Sequence, residues 1–370
     1  MLLSTTLRLF LDGIGRREEY EFYLEKFHSE PGQSFAAVMP DLPSLEQSAD
    51  LMAFDMNFLL RLELAPLVVL AGPDAGAMGA RMRDAAGDAL EVNAEASPGW
   101  RGAVVEMLRQ SRRERRIAIL YGGSRDPGEL IADLAPEVLH RLHVLRSVGG
   151  LRDPGGRLIA YHWLRGRNER PVSAEDAPLL QFIEACLSDC PTLHVSVASP
   201  LDLLREMFTV KGRGTIVRPG STIIHHPGLD GVDVPRLTAL LAQSFGRPLA
   251  RPETMADASD LYLESRYRGA ALLERRPEGH YLSKFAVGTE ARGEGLAQEI
   301  WSLVRGAHPA LFWRARPDNP INGWYARQAD GLHRDHPWTV FWRGVEVSHI
   351  PAILEYCRAR PADFVPVSGS

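Results

Sequence analysis

With 370 residues, 45% of them hydrophobic and 24% charged, the chain carries enough apolar material for two buried cores. A net charge of −5 and a pI of about 6.2 argue against nucleic acid as the main partner, and no apolar run reaches the roughly 18 residues of a membrane helix. Three cysteines, Cys186, Cys190 and Cys357, without repeated spacing, fit a reducing cytoplasmic compartment and exclude a disulfide framework.

The N-terminal stretch MLLSTTLRLFLDGIGRREEYEFYLEKF has no basic region before its apolar part and no small-residue cleavage site, so it reads as an amphipathic helix and not as a secretory signal. Apolar runs then alternate with helical patterns. SFAAVM, APLVVLAG, RRIAILYGG and LHVLRSV read as strands, with VVEMLRQSRRER a helix among them. DPGGRLIAYHWL is a turn into a strand, PLLQFIEACLSDC a helix, TLHVSVASP a strand, SPLDLLREMFT a capped helix, and KGRGTIVRPG a glycine turn into an edge strand. This alternation predicts a mostly parallel sheet with helices on both faces. PGSTIIHHPGLDGVDVP, rich in Pro, Gly and His, reads as a linker and places a domain boundary near residue 220. Beyond it come a helix VPRLTALLAQSF, strands YRGAALLE and YLSKFAVG, a helix GLAQEIWSLVRG, a strand ALFWRAR, a short helix around INGWYARQ, a strand WTVFWRG and a final helix. The two predicted domains are residues 1–219 and 220–370.

The stretch YLSKFAVGTEARGEGLAQEIW, from Tyr281 to Trp301, predicts a strand, a loop with Arg292, Gly293 and Gly295, and a helix starting at Leu296 and Ala297. Glycines let backbone N–H groups approach an anion, and a helix N-terminus adds positive partial charge, so the unit suits a pyrophosphate. It lacks the lysine and hydroxyl of a Walker loop, which argues against phosphoryl transfer. The chain has three lysines, Lys26, Lys211 and Lys284, against 39 arginines, and Lys284 lies in the strand before the loop.

The spacing matches the Arg/Gln-x-x-Gly-x-Gly/Ala loop of GNAT acyltransferases. Together with YLSKFAV, LFWRAR, NPINGWY, DGLH and WTVFWRG, the region from roughly 230 to 355 strongly resembles the acetyltransferase domain of N-acetylglutamate synthases of the vertebrate-like type, a group that includes bifunctional bacterial synthase/kinases. That resemblance implies a mixed-sheet α/β GNAT domain. It implies acetyl transfer from acetyl-CoA to the α-amine of L-glutamate, with no metal. Phe285, Val287, Arg292, Gly293, Gly295, Leu296 and Ala297 would hold the coenzyme. Lys284, Arg314 and Asn319 would hold glutamate, the Val287 N–H would stabilise the oxyanion, and Tyr325 would protonate the departing thiolate. Ser283 stands where relatives usually carry Asp, and Ala297 where a glycine is commoner; neither removes a charge the chemistry needs.

Residues 1 to about 219 resemble, more loosely, the three-layer α/β/α amino-acid-kinase domain fused to these synthases, through SVGGLRDPGGRLI, LLREMFTVKGRGTIVRPG and LAGPDAG. At the end of the first strand, where that family has Val-Lys-x-Gly-Gly, this chain reads Val38-Met39-Pro40-Asp41-Leu42, and no lysine occurs between Lys26 and Lys211. A kinase needs such groups to neutralise a transferring phosphoryl, so the expectation is a silent, regulatory or assembly domain. The resemblance implies an arginine site at Glu206, Gly212 and Gly214 and a homo-oligomer, commonly a tetramer, formed through this domain. A bifunctional enzyme and a non-catalytic scaffold are the rival readings. SRRERR (111–116) reads as a solvated helix face. His225-His226 and the HRDH run (333–336) lack a second ligand set at metal spacing and read as surface loops.

Overall fold

The computed structural model describes residues 5–29, 34–96, 98–135, 137–164, 171–209, 213–250, 252–292 and 295–365. Packing divides the chain into two compact units that part between Pro219 and Gly220.

The first unit contains, in chain order, α1 (Thr5–Ile14), α2 (Arg17–Ser29), β1 (Ala37–Pro40), α3 (Leu42–Arg61), β2 (Leu67–Ala71), α4 (Ala75–Ala86), β3 (Leu90–Asn93) and α5 (Trp100–Glu114). There follow β4 (Ala118–Gly123), α6 (Pro127–Leu134), β5 (Arg141–Leu145), β6 (Tyr161–Trp163), α7 (Ala177–Asp189), β7 (His194–Ala198), α8 (Leu203–Phe208) and β8 (Thr215–Arg218). The strands form one sheet in the order β3-β4-β2-β1-β5-β7-β8-β6. Every pairing in it is parallel except β7 with β8. Successive side chains of a strand point to opposite faces. Val38, Val68 and Leu70 accordingly enter a core with α1 to α4 and α8, while Ala37, Leu67 and Val69 enter a second core with α5, α6 and α7. The result is a three-layer α/β/α unit.

Two local expectations are corrected here. The N-terminal stretch forms two helices and not one. The chain turns at Gly15, where an added Cβ would sit 2.7 Å from Thr209 Cγ2, so close packing and not helix propensity decides the break. Strand β8 is not an edge; it lies between β7 and β6.

The second unit contains β9 (Ile223–His226), α9 (Val234–Phe245), β10 (Asp260–Glu264), β11 (Gly269–Arg276), β12 (Gly279–Val287), α10 (Leu296–Ala307), β13 (Leu311–Ala315), α11 (Asn322–Gln328), β14 (Gly331–Asp335), β15 (Trp338–Arg343) and α12 (Ile350–Ala359). Its sheet runs β14-β15-β13-β12-β11-β10-β9 and is antiparallel except where β12 meets β13. Helices α10 and α11 cover one face; α9 and α12 cover the other. Both histidine runs read as loops belong to edge strands. His225 and His226 end β9, and His333 to Asp335 lie in β14. Flanking Pro and Gly hid the first, and exposed polar side chains without alternation hid the second.

Candidate active site

Strands β12 and β13 pair at only two positions, His280 with Leu311 and Tyr281 with Phe312, and then separate. On its other edge β12 stays paired with β11 as far as Val287 opposite Gly269. Beyond Tyr281, therefore, no strand among the described residues pairs with the β12 edge that faces β13. The ladder shifts register there: Lys284 lies opposite Leu272 and Leu282 opposite Leu273, which leaves Ser283 as an extra residue. A bulge of this kind bends the strand that carries it. The exposed backbone edge can pair with an extended ligand as an added strand would. The N–H of Gly288 bonds back to Arg268 O on the β11 side. Alternate N–H groups point to opposite edges, so the N–H of Val287 points into the opening.

The loop after β12 makes a short 3₁₀ turn at Thr289–Ala291 and enters α10 through Gly295, whose φ of 83° is left-handed and suits glycine. Its N-cap, Gly295, has no side chain to cap the first turn of α10, whose leading backbone N–H groups have no partner within the helix and suit an anion. Leu296 is buried, packing with Phe285 and Ile300, and Ala297 is half-buried beside them. The helix lies close to β11 because Gly269 has no side chain; a Cβ there would come within 2.8 Å of Ile300 Cδ1. Arg292 is exposed and donates to Ser244 O at 3.2 Å. Gly293 lies outside the described residues.

Lys284 and Arg314 face the α12 side of the sheet, with side chains 1% and 2% exposed. Lys284 Nζ lies 3.3 Å from Asp363 Oδ2 and donates to Ser283 Oγ at 2.9 Å. Burial lowers the pKa of its ammonium, and Asp363 opposes that shift. Arg314 Nη1 donates to Cys357 O and Arg360 O, both at 2.6 Å, and its Nη2 lies 4.0 Å from the same Asp363 Oδ2. Its guanidinium also sits 4.0 Å over the Trp338 ring. Arg360 grips Glu274 with both Nη groups at 2.8 and 2.7 Å and comes within 3.6 Å of Asp363 Oδ1. Two cations expected to hold a substrate carboxylate thus converge on a carboxylate of the chain itself. Asp363, Arg360 and Glu274 were missed in the sequence, where they carry neither motif nor periodicity.

Tyr325 lies on the opposite face, buried among Trp313 and Phe341 at centroid distances of 5.6 Å each. Desolvation raises its pKa far above the ordinary phenol range, so it stays protonated. Phe285 stacks on the neighbouring Trp324 at 5.8 Å. Asn319 Oδ1 accepts the Ile321 N–H at 3.2 Å, shaping the turn into α11. Asn322 donates to Arg316 O at 2.7 Å and Pro317 O at 3.1 Å, and its Oδ1 is buried with no partner among the described residues.

In the first unit, Asp41 follows β1 and caps α3, its Oδ1 accepting the Ser44 N–H at 2.8 Å. A carboxylate therefore occupies the helix N-terminus where an anion would be held. Glu206 Oε2 accepts the N–H groups of Arg213 and Gly214, both at 2.8 Å, and burial raises its pKa. Gly214 is confined: a Cβ would lie 2.2 Å from Val197 O. Gly212 and Lys211 lie outside the described residues.

Residues 224–360 match the family model of the N-acetyltransferase of N-acetylglutamate synthase. An acetylglutamate kinase of Xanthomonas campestris is 35% identical over 251 residues, 63% of this chain and 57% of that protein. The human mitochondrial N-acetylglutamate synthase is 27% identical over 426 residues, 98% of this chain and 80% of that protein. A crystal structure of N-acetylglutamate synthase from Neisseria gonorrhoeae, complexed with coenzyme A and N-acetyl-glutamate, aligns with a TM-score of 0.48 at 15% identity over 89% of this chain and 98% of that one. The matches to the acetylglutamate kinases of Xanthomonas campestris and Xylella fastidiosa span 57% and 58% of those proteins. The chain is a homologue of these synthases and kinases, and the similarity to the N-acetyltransferase of N-acetylglutamate synthase lies in its second unit.

Proposed function

We propose that the chain transfers the acetyl group of acetyl-CoA to the α-amine of L-glutamate. The observation that carries this reading is the convergence of Lys284 and Arg314 on one carboxylate oxygen beside the opening between β12 and β13. A dicarboxylic amino acid would take the place of Asp363 there. The coenzyme's diphosphate would rest on the uncapped N-terminus of α10, between Arg292 and Ala297 with Gly293 and Gly295, and its pantetheine arm along the free edge of β12 past Phe285. The neutral amine attacks the thioester carbonyl, and the Val287 N–H stabilises the oxyanion. The C–S bond breaks as Tyr325 supplies a proton to sulfur, and the amine's proton leaves to water. Asn319 holds the substrate through its side-chain NH₂, its oxygen serving the turn.

The first unit has, on this reading, no kinase activity, since Asp41 places negative charge where a phosphate would bind. It serves regulation, with L-arginine near Glu206, and assembly as a homo-oligomer, in a cytoplasmic enzyme. The test is thiol release from acetyl-CoA with each of the twenty amino acids, beside ATP consumption with N-acetylglutamate. Release confined to glutamate, without ATP turnover, is expected; release with another amino acid only, or with none, overturns the reading.

A further inference from the structure

A second cluster of side chains lies away from this chemistry. Asp260 opens β10, His280 is the second residue of β12, and His308 directly follows α10 as its C-cap. One ligand atom from each lies within 4.8 Å of the other two. Asp260 and His308 are buried, and His280 is half-buried. His280 Nε2 is buried without a hydrogen-bond partner among the described residues, although it points toward Asp260 Oδ2 at 4.0 Å. Such an orphan normally finds a protein group, a water or an ion. Outer contacts hold the other groups. His225 Nε2 bonds Asp260 Oδ1 at 2.8 Å, Ser259 Oγ donates to Oδ2 at 2.8 Å, and the Tyr262 hydroxyl bonds His308 Nε2 at 3.0 Å. The rings of His280 and His308 lie 4.2 Å apart.

We propose that Asp260, His280 and His308 bind one divalent first-row transition ion, zinc by ligand type, with water in the fourth position. Two imidazoles and a carboxylate suit zinc. Bonds of about 2.0–2.2 Å place tetrahedral ligand atoms about 3.3–3.6 Å apart, so a set spread over as much as 4.8 Å must draw in by up to about 1.5 Å on binding. His225 serves outside the ligand shell, orienting the carboxylate. A cation at His308 also complements the negative end of the α10 dipole. Helix α10 presents its other end to the proposed coenzyme site, so the ion would fasten the far end of that helix to β10 and β12. The site takes no part in acetyl transfer: His280 lies four residues before Lys284 along β12.

The test is titration of the chelator-treated full chain with zinc by calorimetry and with cobalt(II) by visible absorption. One equivalent bound, a tetrahedral cobalt spectrum displaced by zinc, and a raised Tm are expected. His280→Ala and His308→Ala should each weaken zinc binding at least tenfold. His225→Ala removes a side chain 47% exposed, and it should weaken binding about tenfold with the metal-free Tm unchanged. Absence of a tetrahedral cobalt spectrum in the wild-type chain overturns the proposal whatever the variants do. So does zinc affinity unaltered by these substitutions.

Discussion

The ammonium of Lys284 and the carboxylate of Asp363 form an ion pair at 3.3 Å, with the two side chains 1% and 12% exposed. Removing one partner of a buried pair strips the other of part of its compensation, here leaving Asp363 only Arg360 at 3.6 Å and Arg314 at 4.0 Å, which costs more than the pair contributes. Lys284→Ala should therefore lose about 3 kcal/mol of stability as well as activity. Lys284→Met keeps the length without the charge and leaves Asp363 facing Arg314 and Arg360. Chemical denaturation should find Met less damaging than Ala. Thiol release should fall at least a hundredfold in both.

The same pair sets a second expectation. If glutamate enters by displacing Asp363, weakening the internal carboxylate helps the substrate. Asp363→Asn should lower KM for glutamate about three- to tenfold, the worth of roughly 1 kcal/mol of charge assistance, and leave KM for acetyl-CoA unchanged. An unchanged or raised glutamate KM would place Asp363 outside the competition.

Tyr325→Phe tests the phenol alone. The ring's contacts with Trp313 and Phe341 persist, so thermal stability should change little. Turnover should fall by about 10²-fold, the usual worth of a positioned acid. Because burial raises the pKa of this group, the wild-type rate should show no alkaline decline from it below about pH 10.

Asp55 on α3 is a buried acid, 3% exposed, whose pKa desolvation alone pushes up from 3.8 to about 7. The folded state holds its proton more tightly than the unfolded state. Its contribution to stability is therefore full below pH 3.8 and is lost as pH rises through about 7. The loss is bounded at about 4 kcal/mol. Asp55→Asn should be near neutral at pH 5 and clearly stabilising at pH 8, read from denaturant midpoints at the two pH values.

Part of the site was legible because its chemistry is local. Period-two alternation sets Lys284 on the face opposite Phe285, and Arg314 on one face with Arg316. The strand, glycine and helix order placed Gly295 at the start of α10, and the left-handed φ there follows from the residue type. Strand β9 was not legible, since its four residues sit between Pro- and Gly-rich segments and become a strand by pairing with β10, far along the chain. The partners of Lys284 were not legible either. Asp363 lies far along the chain from it and reaches it only because α12 folds back over β13 and β15. The same holds for Asp260, His280 and His308, which have no common motif and meet where three elements end.

The sequence by itself determined the alternation of elements, the resemblance of the second unit to an acetyltransferase domain and the residue types for an anion cradle, a cationic grip and a phenol. These depend on spacing within one strand, loop or helix, where geometry follows from the backbone repeat. Only the tertiary structure decided that β12 and β13 part, that the cations close on Asp363, and that two histidines converge with Asp260. Those arrangements depend on which distant segments pack together, and packing is set by the whole apolar core and not by any one segment.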